Sequence, residues 1–187
     1  APVMEGPRYR DRPVYFSDVV VRSDTRCRSF ADLEGAAWAY NEETSHSGYN
    51  VTRHRLARMR RHRGFFGRVV VAGSHEAALR LLLAGQVDAC AVDSTVLDLL
   101  RGRDPSLAGR LRTIDSFGPS AMPPWVVSSV VPRRLRRALR EALLTMSTDH
   151  RGRAALAAGM AARFAPVTDR DYDPIRHMAR AAECVEL

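Results

Sequence analysis

Two short runs of this 187-residue chain gather hydroxyls, imidazoles and glycine. The first, Ser45-His46-Ser47-Gly48, follows the apolar stretch Ala36-Ala37-Trp38-Ala39-Tyr40; the second, Gly73-Ser74-His75, follows Arg68-Val69-Val70-Val71-Ala72. Each stands where a strand gives way to a helix. A helix N-terminus presents unpaired N–H groups and about half a positive charge. Hydroxyls from Ser45 and Ser47, close backbone approach at Gly48 and an imidazole N–H from His75 would complete a cradle for a tetrahedral oxyanion. The same residue types make ordinary N-caps, and each run alone fits a cap at least as well. Their recurrence at matching positions brings the two readings level.

Nucleophilic catalysis has less to stand on. G-x-S-x-G is absent, and a trio of Ser45 or Ser47 with His75 and Asp93 can be drawn on paper, as in most α/β proteins. Asp93 closes V-D-A-C-A-V-D and either faces the same cleft or caps the helix that starts at Ser94. H-E-x-x-H and clustered Cys/His spacings are also absent. The residues therefore predict no enzyme, no metal site and no cofactor. Cys27, Cys90 and Cys184 are too far apart for a C-x-x-C pair and read as free thiols, with Cys90 in the core.

The net charge is +8, and all 29 basic residues are Arg. A basic balance favours anionic partners. The densest run, Arg53 to Arg63, reads as a helix with Leu56 and Met59 inward and arginines outward. It is either a solvated face or a set of phosphate contacts for nucleic acid. Interleaved aromatics for base stacking are missing, so no nucleic-acid partner is expected. No apolar run approaches the ~20 residues of a membrane span. The opening A-P-V-M-E-G-P-R-Y-R lacks a signal-peptide pattern, which leaves the compartment open.

These residues need elements to hold them. Val14–Arg22 is β-branched and aromatic and predicts a strand. A single helical turn spans 29–35, a strand 36–40, a helix 47–61, a strand 68–72, a helix 75–85, a strand 87–92 and a helix from Ser94 to Arg101, ended by Gly102. Such alternation predicts a parallel α/β sheet, whose ligands gather beyond the carboxyl ends of the strands. A strand at 111–116 and an extended, proline-punctuated stretch to Val131 follow. From Pro132 on the pattern is helical: 132–147, 151–160 and 169–185.

In order along the chain, P-V-Y-F-S-D-V-V-V-R (13–22), S-F-A-D-L-E-G (29–35), S-H-S-G-Y (45–49), A-G-S-H-E-A-A-L (72–79), G-Q-V-D-A-C-A-V-D (85–93) and D-Y-D-P-I-R (171–176) resemble the solute-binding proteins of phosphate, phosphite and phosphonate ABC transporters. The resemblance implies a type 2 periplasmic-binding-protein fold, two α/β lobes joined by crossover strands. It divides the chain into a remnant of lobe 1 with the first crossover strand (1–22), lobe 2 (23–110), and the return crossover with the C-terminal helices of lobe 1 (111–187). The opening β-α-β portion of lobe 1 has no counterpart, so the first lobe is expected to be incomplete, with self-association through its exposed faces as one consequence.

The implied ligand set is Tyr15, Ser45, His46, Ser47, Gly48, His75 and Asp93, with Tyr15 supplied by the resemblance alone. His46 stands where relatives commonly have Thr. Thr95 and Pro123 stand where relatives that bind aminophosphonates have carboxylates, which argues against an amine-bearing ligand. The function implied is extracytoplasmic capture of a small phosphate-like oxyanion for an ABC transporter permease, without catalysis. A cytosolic sensor or enzyme on the same fold is the alternative, and nucleic-acid binding through Arg53–Arg63 stands behind both.

Overall fold

The computed structural model describes residues 1–187. Along the chain run β1 (Pro2–Met4), β2 (Val14–Arg22), β3 (Ala37–Tyr40), α1 (Val51–Arg58), β4 (Arg68–Val71), α2 (His75–Leu83), β5 (Ala89–Asp93), α3 (Ser94–Arg103), α4 (Leu107–Arg110), β6 (Leu111–Ala121), α5 (Arg133–Leu144), α6 (His150–Ala158), β7 (Ala161–Phe164) and α7 (Asp173–Ala181). They form two compact units, residues 16–119 with 173–187 and residues 1–15 with 120–172. No helix is long and apolar enough to cross a membrane.

The larger unit holds a five-stranded sheet in the order β4-β3-β5-β2-β6. Helical crossovers make β3 parallel to both neighbours, with Trp38 opposite Val69 on one side and Ala89 on the other. No such crossover links β2 to this set, and it pairs antiparallel with β5, placing Ser17 opposite Asp93. Both faces are covered. Val19, Val21, Trp38, Tyr40, Ala89 and Ala91 face one cluster with Leu56, Phe30, Phe65 and Phe66. Val20, Ala39, Cys90 and Val92 face the other with Ala78, Leu79, Leu82 and Leu97. The period-two alternation of strands sorts these residues, and double coverage explains why β5 is apolar almost throughout. Phe30 stacks on Phe65 at 5.4 Å and Trp38 on Phe66 at 4.7 Å.

The structure departs from the sequence reading in several details. Gly102 lies inside α3, which runs to Arg103. The strand expected at 111–116 continues to Ala121 as β6. The C-terminus, grouped in the sequence with the rest of 111–187, packs in the sheet unit instead. Val185 is fully buried in the Trp38 cluster, Arg53 Nε donates to its carbonyl at 2.7 Å, and the Glu186 N–H donates to the His62 carbonyl at 2.9 Å. An apolar residue after the last helix was needed to close the α1 side of the sheet.

In the smaller unit β1 and β7 pair antiparallel, Val3 opposite Arg163. The chain beyond Pro132 is therefore not all helical. Leu156, Ala161 and Phe164 form the core there, with Met4, Leu143, Leu144 and Met146 against them. Trp125 meets the edge of Phe164 at 4.7 Å yet stays 65% exposed. α5 buries none of its residues, and Leu135 and Leu139 are exposed.

Candidate functional site

Strands β3, β4 and β5 run parallel, so their carboxyl ends share one edge, and a helix starts after each. After β3 the chain makes a wide turn at His46–Asn50. The Asn50 N–H donates to the Ser45 carbonyl at 3.1 Å, and the Val51 N–H donates to that of His46, both five residues back. Such i→i+5 turns are rare and concentrate at functional sites. Ser45 Oγ caps the turn by accepting the Gly48 N–H at 3.0 Å. Ser47 is buried, and its carbonyl accepts Ser17 Oγ at 2.5 Å. A Cβ on Gly48 would lie 1.8 Å from Asn41 Oδ1, so a side chain at 48 would have to displace that amide. The sequence reads Gly48 as room for a ligand to approach the backbone, and the Asn41 side chain lies on the Cβ side of that residue.

After β4, Gly73 adopts the left-handed φ of 82° that glycine tolerates, and its N–H donates to the Asn41 carbonyl at 2.8 Å. Ser74 caps α2, its Oγ accepting the Ala77 N–H at 3.0 Å. This delivers His75 as the first helical residue, with Nε2 3.1 Å from Ser47 Oγ. The two runs that the sequence singled out thus meet through side chains. Either tautomer satisfies the contact, since hydroxyl and ring nitrogen can exchange donor and acceptor roles.

Both imidazoles are neutral at pH 7. Burial drives the His46 pKa down to about 4, with nearby His54 adding to it. Burial also holds His75 below the ordinary imidazole value, against the smaller opposing pull of the Asp93 carboxylate, the Ala91 carbonyl and Glu42. The positive potential at this edge therefore comes from helix starts and neutral donors rather than imidazolium. Ser47, His75 and Asp93 do not form a proton relay. The ring's neighbours are Ser47 Oγ and the Ala91 carbonyl, and Asp93 Oδ1 is taken up by Thr95, so no carboxylate holds the ring as a relay would.

After β5, Asp93 caps α3: its Oδ1 accepts both the N–H and the Oγ1–H of Thr95 at 2.8 Å. Of the two roles the sequence allowed it, the structure shows the cap. Burial pushes its carboxyl pKa up. Tyr15 sits on β2, is buried, and falls in the smaller unit. The structure thus gathers Ser45, His46, Ser47, Gly48, His75 and Asp93 within one unit. Sequence reasoning missed Ser17 and Asn41. The signal for Ser17 was a polar pair, Ser17-Asp18, inside an otherwise apolar strand, and both are buried. No cluster of three or more His, Cys, Asp or Glu is arranged to hold a metal ion.

The arginine run is tied down within the sheet unit. Arg53 donates to the Val185 and Glu183 carbonyls and lies over the Tyr49 ring at 4.9 Å. Arg55, Arg61 and Arg63 pair with Asp115, Glu34 and Glu186 at 3.8, 3.1 and 3.1 Å. α1 ends at Arg58, so the run is not one continuous helical face for phosphates.

The family model for the periplasmic substrate-binding protein of a phosphonate ABC transporter matches residues 2–172. Among solved structures, the chain is similar to a binding protein component of an ABC phosphonate transporter from Pseudomonas aeruginosa (TM-score 0.83, 20% identity, 97% of this chain and 61% of that one). It is also similar to PhnD1 from Prochlorococcus marinus in complex with methylphosphonate (TM-score 0.82, 17% identity, 98% and 71%). A third is a protein from Xanthomonas citri bound to ATP (TM-score 0.68, 18% identity, 98% and 70%). At these identities the likeness establishes the type 2 periplasmic-binding-protein fold, and the chain spans 61% of the length of the first of them. With its family model matched over nearly its whole length, the chain belongs to the periplasmic substrate-binding proteins of phosphonate ABC transporters.

Proposed function

We propose that the chain binds a small phosphonate- or phosphate-like oxyanion at the Ser45–Gly48 turn and His75, and serves an ABC transporter permease from an extracytoplasmic position. The observation that carries this reading is the 3.1 Å contact between Ser47 Oγ and His75 Nε2, which joins two helix starts at the carboxyl edge of the parallel strands. With the proton on Nε2 the ring donates to Ser47 Oγ, and a bound oxyanion would take over that N–H and accept the Ser47 hydroxyl as well. Ser45 and His46 border the same position. Tyr15 belongs to the ligand set by family resemblance. The lack of a carboxylate at Thr95 and Pro123 favours ligands without an amine. Binding, with no bond made or broken, is the activity that the neutral, relay-free Ser47–His75 pair supports.

Isothermal titration with methylphosphonate, phosphite and phosphate tests the reading. At least one is expected to bind, and Ser47→Ala and His75→Ala are each expected to weaken it by about tenfold or more, the worth of one good charge-assisted hydrogen bond. Wild-type binding that survives both substitutions unchanged would place the ligand elsewhere.

A further inference from the structure

Asn41 follows β3 directly and is 9% exposed. It touches both arms of the site, by different atoms. Its backbone carbonyl accepts the Gly73 N–H at 2.8 Å, which fixes the turn leading to His75. Its side chain lies against Gly48 so closely that a Cβ there would fall 1.8 Å from Oδ1 and 2.9 Å from Cγ. Oδ1 is fully buried without a hydrogen-bond partner. A buried amide oxygen left unpaired is costly, and its persistence calls for a compensating role. The Cα–H of Gly48 points along the direction of the missing Cβ toward that oxygen, the geometry of a weak Cα–H···O contact. The amide is thus a wedge beneath the serine turn, anchored in the strand that also holds the histidine turn.

We propose that Asn41 is the positioning residue of this site, setting the separation between Ser47 and His75 and so the size of oxyanion the two arms accept. The inference rests on the function proposed above. Asn41 acts through the two turns, not by touching the ligand. The pairing of Asn41 with Gly48 is a coupled volume: the amide fills the space that a side chain at 48 would need. Loss of the wedge lets the turn sink and the Ser47–His75 contact lengthen. A methyl at 48 pushes the turn away from β3. The two changes together restore part of the original spacing.

The experiment is isothermal titration of methylphosphonate into wild type, Asn41→Ala, Gly48→Ala and the Asn41→Ala/Gly48→Ala double variant, alongside ¹⁵N NMR of the His75 ring without ligand. Asn41→Ala is expected to weaken binding by about tenfold and Gly48→Ala by about a hundredfold, with the double variant tighter than Gly48→Ala alone. Effects that simply add, or a double variant weaker than either single, would overturn the coupling. In the ligand-free spectra Asn41→Ala should move the His75 ring signals in the same direction as Ser47→Ala does. Should they stay at wild-type positions, the positioning role is refuted. If wild type binds none of the oxyanions while the His75 signals respond to Asn41→Ala, the functional reading fails and the structural coupling stands. If Gly48→Ala does not fold, recovery of a folded spectrum in the double variant supports the coupling, and its absence counts against it.

Discussion

His46 makes a quantitative test of the site's electrostatics. It sits in the middle of the serine turn, only partly exposed, and its pKa lies at about 4 against an ordinary 6.5. In the unfolded chain the imidazole takes up a proton as the pH falls through 6.5, while the folded protein resists until about 4. Between those values the unfolded state binds the extra proton, so folding stability present at pH 7 is lost on acidification and levels off below pH 4. The gap corresponds to at most roughly 3 kcal/mol, and to roughly 2 once the remaining solvent contact is allowed for. Urea unfolding at pH 7, 6, 5 and 4 should show wild type losing about 2 kcal/mol more than His46→Gln across that range. The slope of stability against urea should be the same in both. Groups that do not interact with His46 cancel in the difference, and the repulsion from His54 is part of the effect being measured. Parallel pH profiles for the two proteins would mean that the His46 ring is hydrated and that burial does not hold its pKa down.

An oxyanion beside His75 favours the charged ring, so binding should take up protons near neutral pH and tighten as the pH falls toward 6. Methylphosphonate titrations in buffers of different ionisation enthalpy read that uptake directly, and buffer-independent heats would argue against contact with the ring. At a distance from the site, Gly67→Ala should cost about 1–3 kcal/mol, because its Cβ would lie 2.3 Å from the Gly35 carbonyl oxygen. The Gly35 N–H to Phe65 carbonyl bond (2.7 Å) and the Gly67 N–H to Ala36 carbonyl bond (3.0 Å) cross at that point. An unchanged melting temperature would show that this backbone approach is looser than drawn.

The βαβ core could be read from the chain because its signals are local. Val14–Arg22 is β2 to the residue, Arg68–Val71 and His75–Leu83 fall within the segments that alternation predicted, and Ala89–Asp93 overlaps the strand expected at 87–92 and runs one residue past it. The serine turn and His75 were likewise visible, since helix starts after strands are where such residues stand out. What escaped depends on contacts between residues far apart in sequence. Asn41 looks like any polar residue ending a strand until Gly48 is placed against it. β1 and β7 are short and lie some 160 residues apart; each is a strand only because of the other. Val185 follows the helical pattern of α7 closely enough to pass for its continuation, yet it seals the Trp38 cluster. The wide turn at 46–50 falls mostly inside the helix expected at 47–61, because hydrophobic periodicity does not distinguish i→i+5 from i→i+4 bonding over five residues.

Three helices start at one edge of the parallel strands, and the chain does not treat them alike. Ser45 and Ser74 cap the turn before α1 and the start of α2 with neutral hydroxyls, which leave the positive ends of those helices uncompensated. Asp93 caps α3 with a carboxyl group that takes both Thr95 donors, so an anion there would meet an acid already in its place. Net charge cannot do this sorting. A chain of +8 attracts anions over its whole surface, and screening leaves only the local arrangement to decide where one stays. Under the function proposed above, an oxyanion would meet neutral caps at the first two starts and a carboxyl group at the third. Asp93 acts a second time, because it favours the charged form of His75 against burial. The carboxyl group that caps one helix start thus lowers the cost of protonating the ring at another.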